Sequence, residues 1–409
     1  MKNIAGLAIL MCVCLNLFAQ EAELGSDTLL VQHPKDTIPQ RDIMDMMLRM
    51  RYTNNEITGL DSSDKSKTHF ALVPAAGYSL QTGFAVIIAA NTVFNTGKPS
   101  TTKASSIFTC VSFTQYHQLI VPFIASVWTP NNTYQFVSDN RYLKYPSLTF
   151  GTGPDALTNK GYAIEYYYLK LHETLMRRIV PNVYAGVGYY YDYFWDIREK
   201  QNTRHRGVPE PIPFVLNKEE KAAGWVAKVN YDTRPRLINP SKGFYASVLL
   251  RHNPKWLGST SKWSSGLVEL RKFFTLPGRA KNVLAFWSYN WFTVAGTPTY
   301  LMLPSTGWDD YFNSGRGYIQ GRFRGKDMVY LESEYRFKIL RSGLLGGVLF
   351  ANAQYFTGSP ERSNSVWAPG GGVGLRLKVN KLSATNLAID YGFGLNGSQG
   401  FFVNLGEAF

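Results

Sequence analysis

Apolar and polar residues alternate along most of the chain. Late in the sequence, for example, Leu375 and Leu377 alternate with Arg376 and Lys378. A period of two residues is typical of β-strands, because successive side chains point to opposite faces of the sheet. About sixteen such runs follow one another, separated by turn residues. The pattern therefore predicts an all-β fold, a 16-stranded antiparallel transmembrane β-barrel over residues 69–409.

Charged side chains decide which face of these runs points inward. Placing Arg376 or Lys378 in lipid costs roughly 2–4 kcal/mol each near the membrane midplane, so the polar face is predicted to line the lumen. A soluble sandwich would alternate equally well with its apolar face inward. Aromatic residues make up 14% of the chain, and long loops alternate with shorter turns, which favours the membrane barrel.

The first 68 residues differ from the rest. Residues 1–19 combine a charged start, a short apolar block and a small residue before a polar stretch, which predicts a secretory signal peptide. A lipoprotein signal at Cys12 or Cys14 is the alternative. Residues 20–68 are predicted to form a periplasmic linker with a short amphipathic helix at 41–52. That helix either docks at the barrel mouth or belongs to a weakly ordered tether.

Charge and chemical motifs narrow the function classes. The formal net charge of +14 raises nucleic-acid binding, but a secreted destination and the lack of a nucleic-acid fold signature favour anionic lipid headgroups as partners. Cys110 alone would remain in the mature chain, which excludes a disulfide framework. The six histidines show no metal-binding spacing, and no nucleophile elbow appears. The sequence predicts no enzyme, metal site or cofactor. A hydrolase with its catalytic residues on the barrel wall is kept as an alternative.

One cationic, glycine-flanked stretch is a candidate site. Gly315, Arg316, Gly317 and Tyr318 close a long segment rich in glycine and aromatic residues. The next alternating run carries Glu334 on its polar face. With this polar face lining a closed barrel, Arg316 would fold back and form a charge-assisted bond with it. Alternatively, Arg316 and the neighbouring arginines decorate an outer loop close to lipopolysaccharide.

Two other segments accompany this stretch. Asp232 and Arg234 lead into a turn that contains Pro240 and Gly243, and Asn352 lies in the run after Glu334. At the end of the sequence, Phe401, Val403, Leu405 and Phe409 form an alternating pattern, interrupted by Glu407.

Together these motifs resemble those of the BamA/TamA family, the bacterial surface antigen superfamily. The loop stretch looks like the family's inward-folded sixth loop, and Asp232–Arg234 with Pro240 and Gly243 resembles its Asp-x-Arg and Pro-x-x-Gly segment. The final pattern is similar to the terminal strand that outer-membrane assembly machinery reads. Asn352 stands where the family has Asp. The resemblance covers the barrel, so the chain looks like a short member without the periplasmic polypeptide-transport-associated domains.

The resemblance implies a function at the cell outer membrane. The family's barrels assist insertion or passage of proteins or lipids, and clients are admitted at the seam between the first and last strands, here 70–77 and 401–405. Arg316 is implied to pair with Glu334, and Asn352 to accept a hydrogen bond. The implied partners are outer-membrane lipids, lipopolysaccharide, client proteins or lipids, and periplasmic or outer-membrane proteins, but not nucleic acid. The alternative is a passive pore or a surface or structural barrel without insertase activity.

Overall fold

The computed structural model describes residues 41–42, 68–153, 161–200, 216–278, 281–358, 365–380 and 384–409. The predicted signal peptide, with Cys12 and Cys14, lies outside these residues, as does the predicted helix beyond its first two positions. In the part of the chain that the structure describes, no helix is long and apolar enough to cross a membrane.

The described residues form one continuous antiparallel sheet. A three-residue strand, β6, continues β5 after a short break, and both pair with β7, so the strands fill sixteen positions in the wall. The sheet closes on itself, which confirms the predicted 16-stranded barrel. The strands are β1 (His69–Ser79), β2 (Gly83–Phe94), β3 (Ser105–Thr114), β4 (Leu119–Trp128), β5 (Tyr134–Lys144), β6 (Ser147–Thr149), β7 (Tyr162–Val180), β8 (Val183–Glu199), β9 (Glu220–Asp232), β10 (Gly243–Asn253), β11 (Trp263–Thr275), β12 (Val283–Gly296), β13 (Met328–Lys338), β14 (Leu345–Phe356), β15 (Val366–Asn380), β16 (Thr385–Phe393) and β17 (Gln399–Leu405).

Alternation in the sequence becomes an inside and an outside of the barrel. On β13 the side chains of Tyr330, Glu332 and Glu334 are buried in the lumen, whereas Leu331 between them is 51% exposed on the outer face. Arg376 on β15 is likewise buried inside. The polar face therefore lines the lumen, as the alternation predicts, and the apolar face forms the outer surface.

The two ends of the barrel carry different connections. The end with the long connection between β12 and β13 is called the loop end, and the opposite end, with the short connection between β7 and β8, is called the turn end. Arg41 lies at the turn end, where its backbone N–H donates to the carbonyl of Ser342 at 3.1 Å. The first residues of the predicted helix thus lie beside the barrel mouth.

Strand pairing is uneven around the wall. β1 pairs with β2 along its whole length, and β16 pairs with β17 from Leu387 to Phe393. Between β1 and β17, in contrast, the ladder contains the single pair Ser79 and Phe402, at the loop end. The barrel is therefore closed, but its seam holds few of the inter-strand hydrogen bonds that stabilise the other strand pairs.

Candidate functional site

The connection between β12 and β13, residues 297–327, folds into the lumen and is called the inner loop. Ser305 and Arg324 form an isolated antiparallel bridge, and the N–H of Thr306 donates to the carbonyl of Phe323 at 3.0 Å. At the far end of the loop, the carboxylate of Asp309 accepts the backbone N–H of Ser314 at 2.7 Å. Internal bonds of this kind give the loop a fixed shape of its own.

Two glycines let this loop approach the wall closely. Gly315 has φ +80° and Gly317 has φ +107°, conformations that other residues rarely adopt. A Cβ on Gly317 would lie 2.5 Å from the carbonyl oxygen of Phe393 on β16. The glycines on both sides of Arg316 therefore allow the backbone at this residue to lie directly against the barrel wall.

Arg316 is the anchor of the inner loop. Its side chain is 1% exposed, and its Nη1 donates to Asp390 Oδ2 on β16 at 2.5 Å. Its Nη2 donates to the carboxylates of Glu332 and Glu334 on β13, and its guanidinium lies 3.9 Å from the ring centre of Phe350. Arg316 thus lies inside the barrel, and the alternative that it decorates an outer loop is wrong.

The partners of Arg316 are more numerous than the sequence indicates. The structure contains the expected contact with Glu334 and adds Glu332 and Asp390. Asn352 on β14 differs from expectation, because it donates from Nδ2 to the Arg316 carbonyl at 2.9 Å instead of accepting a bond. An amide side chain can donate a hydrogen bond to a backbone carbonyl, whereas an ionised aspartate at this position could only accept one.

Tyr318 ties the inner loop to the neighbouring strands. Its hydroxyl accepts the backbone N–H of Leu395 at 2.9 Å and donates to the carbonyl of Pro369 on β15. The hydroxyl of Ser398 donates to the carbonyl of Gly317 at 2.7 Å. The loop is therefore fixed to β15 and to the connection that leads into β17.

A charge network extends from Arg316 toward the turn end. Asp390 also accepts Arg376 Nη1 at 2.5 Å, and Arg376 Nε donates to Glu407 Oε2 at 2.7 Å. Burial by itself would lower the pKa of Arg316, but Glu332, Glu334 and Asp390 raise it well above its ordinary value. The guanidinium therefore stays charged throughout the accessible pH range.

The segment 406–409 lies inside the lumen and is called the inward segment. Gly406, with φ +97°, follows β17 and turns the chain inward. Phe409 is buried and stacks on Trp287 with ring centres 5.3 Å apart. Asn313 of the inner loop donates from Nδ2 to the carbonyl of Ala408 at 2.9 Å.

The inward segment changes the predicted end-of-chain pattern. Phe401 and Leu405 are 51% and 40% exposed on the outer face, and Val403 is half-buried. Phe409 does not continue this face, since the chain leaves the sheet after Leu405. Two residues of the pattern are thus outward and exposed, whereas Phe409 belongs to the lumen.

The predicted turn motif lies at the turn end, between β9 and β10. Arg234 donates from Nε and Nη2 to the two carboxylate oxygens of Asp232 at 2.9 and 2.8 Å. Pro240 is buried, and Gly243 has φ +105°. The motif shapes a connection and does not contact Arg316. Elsewhere in the described residues, no group of His, Cys, Asp and Glu side chains is arranged to hold a metal ion.

Known structures with a similar fold are outer-membrane barrels. No protein-family model and no curated protein matches the sequence. BamA from Haemophilus ducreyi lacking POTRA domains 1–3 aligns with a TM-score of 0.51 and 13% identity, over 86% of this chain and 73% of that one. CdiB from Acinetobacter baumannii aligns with 0.53 and 14%, over 83% and 60%. CdiB from Escherichia coli aligns with 0.51 and 12%, over 83% and 62%. The chain therefore has the fold of the BamA and CdiB barrels and spans about three fifths of each CdiB chain.

Proposed function

We propose that the chain is an outer-membrane barrel that assists the insertion or passage of proteins or lipids. The neighbours with the same fold are outer-membrane barrels, which supports that location. The observation that carries the proposal is the seam, where β1 and β17 share the single pair Ser79 and Phe402. An edge with unpaired backbone groups is a template for a further strand, so a client segment can add to it.

The arrangement next to the seam supports this function. β17 is tied to the lumen instead of to β1: Asn404 donates from Nδ2 to Asn313 Oδ1 of the inner loop at 3.0 Å, and Glu407 is bound by Arg376. The inner loop is in turn fixed by Arg316. The anchor of the loop thus controls how far β17 can approach β1.

A reversible lock across the seam tests the proposal. In a background in which Cys110 is serine, Ser79→Cys and Phe402→Cys place a disulfide at the single paired position, where opposed β-residues are close enough to be bridged. The matched control is Ile389→Cys with Val403→Cys, an equivalent bridge between β16 and β17. Each protein is placed in proteoliposomes, and the folding of a small test barrel is followed with and without reductant.

The proposal expects the seam disulfide to stop assisted folding and reductant to restore it, while the control bridge leaves assistance unchanged. Solute conductance without any assisted folding would instead identify a passive pore. Lipid cleavage by the vesicle-bound protein would identify a barrel hydrolase. Assisted folding that continues with the seam oxidised would refute the role of β1 and β17.

A further inference from the structure

A groove of about 520 Å³ runs across the outer face of the barrel from β10 to β14. It exists because small side chains stand opposite large ones on adjacent strands: Leu270 pairs with Ser288, and Phe286 pairs with Ser333. The floor is made of Ser288, Ser333, Ala351 and Ala353, and the walls of Leu270, Phe286 and Leu331.

A cation lies at one end of this groove. Lys272 faces outward on β11, three residues before the strand ends at Thr275 on the turn end. Its ammonium lies 5.1 Å from the ring centre of Phe274 and 5.8 Å from that of Phe244. Among the residues that the structure describes, no carboxylate forms an ion pair with it. These two cation–π contacts position the ammonium at the edge of the groove, where it is accessible to an anion.

Hydroxyl groups follow the cation into the groove. Lys272, Phe286 and Ser333 lie in one cross-strand row, so Ser333 is two strands away from the cation on the same outer face. One row further toward the loop end, the Ser288 hydroxyl accepts a bond from Asn290 Nδ2 at 2.8 Å. Across the strands from β11 to β14, the groove thus contains a cation on β11, hydroxyl groups on β12 and β13, and the small apolar residues Ala351 and Ala353 on β14.

We propose that this groove binds one phospholipid from the membrane leaflet at the turn end. The phosphate pairs with Lys272, the ester oxygens accept from Ser333, and one acyl chain lies on the floor formed by Ala351 and Ala353. Charge complementarity favours this occupant, because no carboxylate of the described residues pairs with Lys272 and the rest of the groove is mostly apolar. The proposal depends on the barrel's place in a membrane and not on insertion at the seam, from which β15 and β16 separate it.

Native mass spectrometry of the purified protein in detergent tests the binding. The probe is phosphatidylglycerol, and diacylglycerol, which lacks the phosphate, is the ligand control. Lys272→Gln removes the cation, and Ala351→Leu fills the floor. The matched controls are Arg177→Gln, an exposed outward cation over Tyr134 at the turn end, and Ala185→Leu on the outer face of β8. Gel electrophoresis checks that each variant is folded: the unheated protein should migrate faster than the same protein after heating, which unfolds the barrel.

The wild type is expected to keep one phosphatidylglycerol at lipid concentrations at which diacylglycerol does not bind. Lys272→Gln should weaken this binding about fivefold, the effect of one basic residue at an anionic lipid surface. Ala351→Leu should abolish the single retained lipid, while both controls keep it. The proposal would be overturned if Arg177→Gln weakened phosphatidylglycerol binding as much as Lys272→Gln does, or if the wild type retained diacylglycerol as well as phosphatidylglycerol. It would also be overturned if the protein proved to be a dimer that Ala351→Leu dissociates, because the groove would then be an interface between two copies of the chain.

Discussion

Arg376 and Glu407 form an ion pair inside the barrel, with Nε donating to Oε2 at 2.7 Å, although Glu407 lies beyond the end of β17. The Oε1 atom of the same carboxylate accepts Asn386 Nδ2 at 2.7 Å. Because Asp390 binds both Arg316 and Arg376, the inner loop and the inward segment share one charge network. Through this network the segment that follows β17 is tied to the lumen, while β17 itself pairs with β1 only at Ser79 and Phe402.

Glu407→Gln should release the inward segment and lengthen the seam. Glu407 pairs with Arg376 and also with Arg336, whose Nε lies 3.8 Å from its Oε2. Glutamine keeps the size of the side chain but removes the charge that both arginines bind, so β17 is freer to pair with β1. Continuing the register from Ser79 and Phe402 brings Ala76 opposite Leu405. A cysteine pair at these two positions should form a disulfide in higher yield in the Gln variant than in the parent.

The control for this change is Glu219→Gln, which removes a carboxylate that pairs with Lys221 on the exposed outside of the barrel. Its disulfide yield should equal that of the parent. If Glu407→Gln also leaves the yield unchanged, the inward segment does not restrain β17.

Acid should weaken the same contact. Burial alone would raise the pKa of Glu407, but Arg376 and Arg336 lower it below its ordinary value of 4.5. A lowered pKa means that the stabilisation is complete above about pH 4.5 and is lost as the pH falls through the folded-state value. The wild type should therefore exceed Glu407→Gln in urea midpoint at pH 7, and this difference should shrink below about pH 4.5. A difference that stays constant down to pH 3 would contradict the ion pair.

Arg316→Ala should free the inner loop and destabilise the barrel. It leaves Glu332, Glu334 and Asp390 without their shared partner, and losing one member of a buried charge cluster costs about 3–5 kcal/mol. Arg316→Lys should have an intermediate effect, because an ammonium keeps the charge but lacks the planar fork. Trypsin should then cut after Arg322 or Arg324, which are buried in the parent. Arg178→Ala, an exposed arginine at the turn end, serves as the control, and parent-like protection in Arg316→Ala would refute the anchor.

The barrel could be predicted from the sequence because alternation is a local property. Arg376 points into the lumen and Leu375 points outward, which defines both faces of β15. The neighbouring strands must direct their polar residues to the same side of the sheet. The same alternation places Glu334 on the inward face of β13, whereas its pairing with Arg316 was implied by the family resemblance of the loop. Glu332 belongs to this face as well, two residues earlier, so the signal for it was present in the pattern.

The remaining partners depend on distances in space that the pattern does not contain. Asp390 lies 74 residues from Arg316 in the chain, and only the closure of the barrel brings β16 beside the inner loop. The inward turn of Phe409 depends on the positive φ of Gly406 and on the space next to Trp287. The alternating pattern in the sequence extends to Phe409, whereas β17 ends at Leu405.

The turn motif leads to a prediction with an internal control. Gly243 and Gly258 have nearly equal φ values of +105° and +100°, so alanine is strained at both, by roughly 1–2 kcal/mol. A Cβ on Gly243 would also lie 2.8 Å from the carbonyl oxygen of Thr233, whereas nothing lies within 4 Å of a Cβ on Gly258. Gly243→Ala should therefore lower the free energy of unfolding in urea by more than Gly258→Ala. Equal losses would mean that backbone strain alone requires glycine at 243, and that close packing against the Asp232 and Arg234 turn contributes nothing.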